Sequence, residues 1–170
     1  MSPLLHPYDV TQEADMLLPV DYNRRSRLSH ADRLFPATLT SIVKLTEHEK
    51  LYHIRIDDDA ERARFRFRPG QFVMVEVPGY GEIPISISGS PSQQGFLELC
   101  IRKVGLVTSV LHRAKPGAKV GIRGPFGSHF PMDRMKGRNV LLIAGGLGLA
   151  PLRAPIFHVT ENRSDYDQVH

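Results

Sequence analysis

Six short runs of β-branched and aromatic residues, each bounded by glycine, proline or acidic residues, fall between residues 37 and 123. Runs of this length and composition are typical of β-strands joined by turns. Six such strands in succession favour a closed or nearly closed antiparallel barrel. We predict strands at residues 37–44, 51–56, 72–77, 83–88, 96–103 and 119–123.

The fifth run and the segment after it show which faces are buried. Leu97, Leu99 and Ile101 alternate with polar residues, so one face of this strand packs in the core and Cys100 faces outward beside charges. The following segment, residues 106–113, has apolar residues at helical spacing and is followed by a Pro-Gly turn. We therefore predict one helix between the fifth and sixth strands.

The hydrophobic pattern changes after residue 138. Residues 140–144 form a continuous apolar run, which is typical of a strand buried on both faces in a parallel sheet. A glycine-rich turn follows, and then a second predicted helix with Pro151 near its first turn. The sequence thus predicts an N-terminal extension (1–34), a barrel domain (35–128) and the first β-α unit of an incomplete nucleotide-binding domain (139–170).

Charge and cysteine content exclude several classes of protein. The net charge is +4, but acidic and basic residues alternate along the chain, which does not favour nucleic-acid binding. The single cysteine excludes an internal disulfide framework and is simplest to explain in a reducing cytoplasm. No apolar run is long enough to predict a membrane span, and the eight histidines are scattered without metal-ligand spacing, so we predict no metal site.

The glycine-rich turn is the first candidate binding element. It contains Gly145, Gly146 and Gly148, followed by Ala150 and Pro151 at the start of a predicted helix. A strand, a glycine turn and a helix N-terminus together suit a phosphate group. The common dinucleotide fingerprint is incomplete here, because its third glycine is missing. Glycines placed only for close packing explain the turn equally well.

The fourth predicted strand is the second candidate element. Pro84 removes a backbone donor, so this strand is an edge strand or faces something other than a neighbouring strand, and a flat ligand would suit that place. Ser86 and Ser88 alternate with Ile85 and Ile87, which gives hydroxyls on one side and apolar cover on the other. Ordinary edge-strand patterning explains these residues equally well.

The third candidate element joins the fifth strand to the helix. Arg102 and Lys103 end the strand, Gly105 follows, and Thr108 and Ser109 begin the helix. Two cations, free backbone amides and hydroxyl donors would bind an anion. An ordinary capped helix is the alternative.

The ordered motifs resemble those of the ferredoxin–NADP reductase family from about residue 36 onward. These motifs are Arg68-Pro-Gly-Gln-Phe, Pro84-Ile-Ser-Ile, Gly105-Leu-Val-Thr-Ser, Gly124-Pro-Phe-Gly and Ile143-Ala-Gly-Gly-Leu-Gly-Leu-Ala-Pro. Within the family, the segment from Gly79 to Ile87 looks most like the gamma subunits of nickel–iron sulfhydrogenases and the flavin subunit of anaerobic sulfite reductase. The electron-transfer subunit of dihydroorotate dehydrogenase is a more distant likeness.

The resemblance implies a six-stranded FAD-binding barrel followed by an NAD(P)H-binding domain. It assigns Ser86 to the position beside flavin N5, as the catalytic residue, and Ile85 to the residue that covers the ring. Ile83 occupies the position of the family's arginine, which pairs with the flavin pyrophosphate; Arg102 or Lys103 could replace that charge. The implied cofactor-binding residues are Pro84, Ile85, Ser86, Ile101, Arg102, Lys103, Gly105, Val107, Thr108, Ser109, Gly145, Gly146, Gly148, Ala150 and Pro151.

The implied activity is hydride transfer from NAD(P)H to FAD and single-electron transfer to an iron–sulfur partner in a hydrogenase, sulfite reductase or similar hetero-oligomeric complex. A [2Fe–2S] cluster would need cysteines in a part of the protein beyond this sequence. Two alternatives remain open. In one, the barrel is a non-catalytic scaffold or docking subunit; in the other, the chain binds FAD but does not bind NAD(P)H productively.

Overall fold

The computed structural model describes residues 32–170, and its central feature is one six-stranded antiparallel sheet. The strand order is β4-β3-β6-β1-β2-β5, which confirms the predicted barrel. The strands are β1 (Phe35–Lys44), β2 (Glu49–Ile56), β3 (Phe72–Val77), β4 (Gly81–Ser86), β5 (Leu97–Arg102) and β6 (Lys119–Phe126). The predicted N-terminal extension lies outside the described residues, apart from residues 32–34.

The barrel closes only partly between its two edge strands, β4 and β5. Directly after β4, Ile87 forms an isolated antiparallel bridge with Leu99, and the Ser88 amide donates to the Glu98 carbonyl at 2.8 Å. Beyond this point β4 and β5 do not pair with each other. Pro84 pairs with Met74 of β3 on one side only, so the predicted edge position is confirmed.

The core is formed by the side chains that alternate toward the inside of the barrel along each strand. Inward-facing side chains from all the strands except β4 are almost completely buried, whereas β4 contributes partly buried residues at the margin. The fully buried residues with the largest side chains include Tyr52, Leu39, Ile54, Leu99 and Ile122. Burial of this apolar surface is the main source of the barrel's stability.

Two helices pack beside the barrel. Helix α2 (Leu106–Arg113) has the predicted bounds. A hydrogen bond joins it to β2, in which the Tyr52 hydroxyl donates to the Leu111 carbonyl at 3.1 Å. Helix α1 (Asp59–Arg64) is not predicted from the sequence. Its N-cap is Asp58, whose carboxylate accepts from the Glu61 amide at 2.9 Å.

The segment after the barrel contains α3 (Met132–Met135), an extended stretch and α4 (Leu149–Glu161). The second predicted helix is therefore confirmed. The predicted burial of residues 140–144 on both faces is wrong, because Leu141 and Ile143 are 67% and 78% exposed. Among the described residues, this stretch pairs in parallel only with those around Val169, and a run buried on both faces needs neighbours on both sides.

Among residues 32–170, no helix is both long and apolar enough to cross a membrane.

Candidate functional site

A cleft of about 560 Å³ opens where the two edge strands separate. Four parts of the chain surround it: β4, the end of β5, the start of α2, and the glycine segment that leads into α4. The lining residues are Ile83, Pro84, Ile85 and Ser86 from β4; Cys100 and Arg102 from β5; Val104 and Thr108 near α2; and Leu147, Gly148, Ala150 and Pro151. All three sequence elements predicted to bind a ligand therefore meet at one place.

The β4 wall is mostly apolar. Pro84 has no N–H group, and the Ile side chains on either side of it pack partly against the barrel core. Ser86 contributes a hydroxyl to this wall. Ser88 does not: it is fully buried, and its hydroxyl accepts from the Cys100 amide at 3.3 Å, which helps to join the two barrel edges.

The start of α2 combines the two interpretations that the sequence left open. The Thr108 hydroxyl accepts from the amides of Val104 and Gly105 at 2.9 and 2.8 Å, so it shapes the turn. The amides of Leu106 and Val107, in the first turn of α2, have no acceptor within the helix. This turn therefore suits an anion through backbone amides and the helix dipole, while the Thr108 hydroxyl holds the turn itself.

The glycines of the opposite wall are not explained by packing. A Cβ atom built on Gly145 or Gly148 would meet no atom within 4 Å. Gly146 has a φ of +53°, a left-handed conformation that favours glycine. The described part of the chain thus gives no packing reason for Gly145 and Gly148, and the segment leaves backbone exposed beside the cleft.

Arg102 is the charged residue among the described residues that line the cleft. Its Nε atom lies 3.2 Å from Glu49 Oε1, and its side chain is half exposed. Lys103 is exposed at the end of β5 and is not part of the lining. Of the two cations proposed to replace the family arginine, Arg102 is therefore the one that the fold places in the cleft.

Cys100 also lines the cleft, although the sequence did not single it out for binding. Burial raises the pKa of its thiol; the nearby Arg153 guanidinium lowers this pKa, and Glu49 and Glu98 raise it further. The outward orientation predicted for this residue is confirmed by its partial exposure. Cys100 precedes Arg102 by two residues and therefore shares its face of β5, which is the signal that could have identified it as a lining residue.

Not every predicted binding residue lies in the cleft. The Ile101 side chain is fully buried in the barrel core, because alternation along β5 turns it inward, so it does not contribute to the lining of the cleft. Val107 packs against the same core. Gly105, Ser109, Gly145 and Gly146 flank lining residues without being part of the lining. Ile83, Cys100, Val104 and Leu147 line the cleft but were not predicted to do so.

A second cavity, of about 620 Å³, lies between α1 and the loop before β5. None of the predicted binding residues lines it. Within residues 32–170, no group of three or more His, Cys, Asp or Glu side chains could hold a metal ion. The predicted binding residues that line a cavity therefore all line the first cleft.

Comparison with known proteins points to the same part of the chain. Residues 36–130 match the model of a family described as the oxidoreductase FAD-binding domain. The chain is 50% identical over 128 residues to the sulfhydrogenase 1 gamma subunit of Pyrococcus furiosus, covering 75% of this chain and 44% of that protein. It is 38% identical over 120 residues to a probable dihydroorotate dehydrogenase B (NAD(+)) electron transfer subunit of Archaeoglobus fulgidus, covering 71% and 44%.

The chain thus spans less than half the length of these two relatives. A ferredoxin NADP+ reductase from Neisseria gonorrhoeae, solved with bound FAD and NADP, has a similar fold. The TM-score is 0.66 at 19% identity, over 80% of this chain and 55% of that one.

Proposed function

The chain belongs to the oxidoreductase FAD-binding domain family, and we propose that its cleft binds FAD and takes part in electron transfer between NAD(P)H and an iron–sulfur partner. The observation that supports this most is the meeting of β4, Arg102, the α2 turn and the glycine segment around one cleft. Each part suits a different portion of a flavin nucleotide. The relatives named as electron transfer or sulfhydrogenase subunits support the same class of activity.

The lining residues fit a flavin by their chemistry. The apolar residues Ile83 to Ile85 would cover a flat ring on the barrel side, because β4 has no strand partner there. The Ser86 hydroxyl would approach the ring's polar edge. The backbone amides at the start of α2 and the Arg102 guanidinium would hold the pyrophosphate. When bound, the flavin supplies the hydride and single-electron chemistry, while the chain supplies position and charge.

The nucleotide and the partner belong to the same proposal. The segment from Gly145 to Pro151 would admit the NAD(P)H pyrophosphate close to the backbone, since Gly145 and Gly148 have open space beside them. The iron–sulfur acceptor would be another subunit of a hetero-oligomeric complex located in the cytoplasm. Sulfhydrogenase and dihydroorotate dehydrogenase relatives favour such an assembly.

The proposal is tested with the substitution Arg102→Gln and three flavins. FAD is titrated into the purified chain and followed by flavin fluorescence, with Arg123→Gln as the matched control. Arg123 also pairs with a glutamate, Glu82, but lies outside the lining of the cleft. Because a charge-assisted hydrogen bond contributes about 1.5–3 kcal/mol, Arg102→Gln should weaken FAD binding by about 10-fold to 140-fold.

Riboflavin and FMN distinguish the parts of the site. Riboflavin has no phosphate group, so its affinity should not change in Arg102→Gln, whereas FMN should show an intermediate loss. If the unmodified chain binds none of the three flavins, the flavin proposal fails. Equal weakening of riboflavin and FAD would show that Arg102 does not act on the phosphates.

A non-catalytic scaffold is the second candidate. The observation that favours it is the presence of Ile83 at the position of the family's arginine. Among the described residues, the lining of the cleft has one charged side chain, Arg102, and this side chain is already paired with Glu49. A chain that binds no flavin but still associates with a partner subunit would support this function.

A further inference from the structure

We propose that Glu98 is a positioning residue: by holding Arg153, it fixes α4 and the glycine segment over the cleft. The role assigned to the cleft rests on the proposed function, but the anchoring itself does not. Glu98 lies on the outward face of β5, and Arg153 lies in the second turn of α4. Arg153 Nη2 lies 2.6 Å from Glu98 Oε1.

Glu98 is well placed to act as an anchor because it is held from two sides. Its second carboxylate oxygen lies 3.1 Å from His53 Nε2 on the neighbouring strand β2. His53 in turn stacks on Phe96, with ring centroids 4.3 Å apart. The Glu98 side chain is only 12% exposed, so the sheet keeps the carboxylate in one position before the helix contributes its cation.

Arg153 links this fixed carboxylate to the cleft. It follows Ala150 and Pro151, which line the cleft, by less than one helical turn. Its guanidinium also lies 5.4 Å from the centre of the Phe157 ring, which orients the side chain along the helix. Displacing Arg153 would therefore move the wall formed by Leu147 to Pro151.

Among the described residues, the other polar contacts of α4 lie at its far end, so the ion pair of Glu98 is the polar contact that holds the end near the cleft. At the other end of the helix, Glu161 accepts hydrogen bonds from Ser90 and Ser92, both at 2.8 Å. One anchor joins α4 to β5, and the other joins α4 to the loop between β4 and β5. The end near the glycine segment is held by Glu98, so its loss should release that end first.

Cys100 provides a readout that needs no bound cofactor. It is the single cysteine of the chain, lies two residues from Glu98 on the same face, and lines the cleft beside the glycine segment. If α4 moves away, the thiol becomes more accessible. The rate of its alkylation by iodoacetamide therefore reports the position of α4.

The experiment uses Glu98→Gln, Arg153→Gln and the double substitution. Electrostatics alone predicts opposite effects, because Glu98 raises the pKa of the thiol and Arg153 lowers it. Removing Glu98 would then speed alkylation, and removing Arg153 would slow it. Displacement of α4 speeds alkylation in both. We expect about a fivefold increase in each single variant, with no further increase in the double, because both substitutions break one contact.

The matched control is Asp57→Asn. Asp57 also pairs with a cation, at 2.9 Å from Lys119 Nζ, but its partners Lys119 and Thr38 both belong to the barrel. This variant should alkylate at the unmodified rate. Circular dichroism establishes that each variant is folded, and Arg153→Gln tests the contact from the helix side should Glu98→Gln fail to fold.

The outcomes separate the two proposals. Opposite changes in the two single variants, or unchanged rates in both, would overturn the anchoring role of Glu98. Accelerated alkylation in a chain that binds no FAD would support that role while the proposed function failed. Where FAD does bind, its dissociation constant should rise by about the same factor in the single and double variants, which additive losses would contradict.

Discussion

The barrel and the segment after it are held together in different ways. In the barrel, β1, β2, β3 and β6 each pair on both sides, and their inward side chains form one continuous core. Residues 130–170 contribute a small separate cluster whose buried members are Met132, Val140, Val159 and Tyr166. The barrel is thus stabilised by apolar burial, whereas α4 depends in addition on polar anchors at Glu98 and Glu161.

The difference also divides the cleft. β4, β5 and the α2 turn belong to the barrel, so three of its walls are built on the larger core. The fourth wall, from Leu147 to Pro151, belongs to the segment with fewer buried apolar contacts. Local opening occurs where such contacts are few, so the fourth wall is the one that can move to admit a ligand.

The largest expected difference in stability comes from comparing Leu99→Ala with Val159→Ala. Leu99 is fully buried in the barrel core, and its truncation should lower the free energy of unfolding by about 3 kcal/mol, seen as a lower urea midpoint by circular dichroism. Val159 is equally buried, but in the small cluster. Its truncation should cost about 1–2 kcal/mol locally and leave the barrel midpoint unchanged. Equal shifts in the midpoint would show that the two regions unfold as one unit.

Hydrogen exchange of the unmodified chain should show the same contrast with a somewhat smaller effect. The amides of Val140 and Leu142 bond to Gln168 and His170, beside exposed apolar side chains. We expect them to exchange about 100-fold faster than the amide of Ile54 in β2. The measurement is made at low protein concentration, so that no second chain covers residues 139–170. Equal protection in the two regions would contradict the comparison.

The barrel could be predicted because its signal is local. Alternation along β5 places Leu99 inside and Cys100 outside whatever the rest of the chain does. Helix α1 was missed because Asp57, Asp58 and Asp59 read as a turn, whereas Asp58 caps a helix. Residues 140–144 were placed wrongly because burial depends on neighbours that an apolar run does not identify.

The candidate site shows the same limit. The motif order predicted which segments meet, since β4 and β5 form the two edges of the barrel and α2 follows β5 directly. The bonds of the Thr108 hydroxyl to its own turn could not be predicted, because a hydroxyl at that position suits a ligand equally well. The Glu98–Arg153 pair depends on how α4 lies against β5, which no local pattern records.

The smallest effect that we predict is a stabilisation of the barrel alone, which would widen the difference in stability between the two regions. Glu76 of β3 lies directly opposite Glu82 of β4, and Glu76 Oε2 is buried without a hydrogen-bond partner among residues 32–170. Burial raises the pKa of Glu76, the charge of Glu82 raises it further, and Arg123 opposes both. Because this pKa is raised in the folded state, the protonated form stabilises the fold below the pKa of the unfolded chain, about 4.3. That stabilisation is lost as pH rises through the folded pKa.

Replacing Glu76 with Gln should therefore raise the melting temperature at pH 7, corresponding to about 0.5–1 kcal/mol, and the advantage should disappear at pH 4. The control is Glu47→Gln, since Glu47 is exposed in the turn between β1 and β2 and its replacement should change little. Hydrogen exchange of residues 140–170 should stay the same, because Glu76 belongs to the barrel. A lower melting temperature at pH 7 would mean that the ionised carboxylate stabilises the sheet. It would also mean that repulsion between Glu76 and Glu82 does not lower the stability of the barrel.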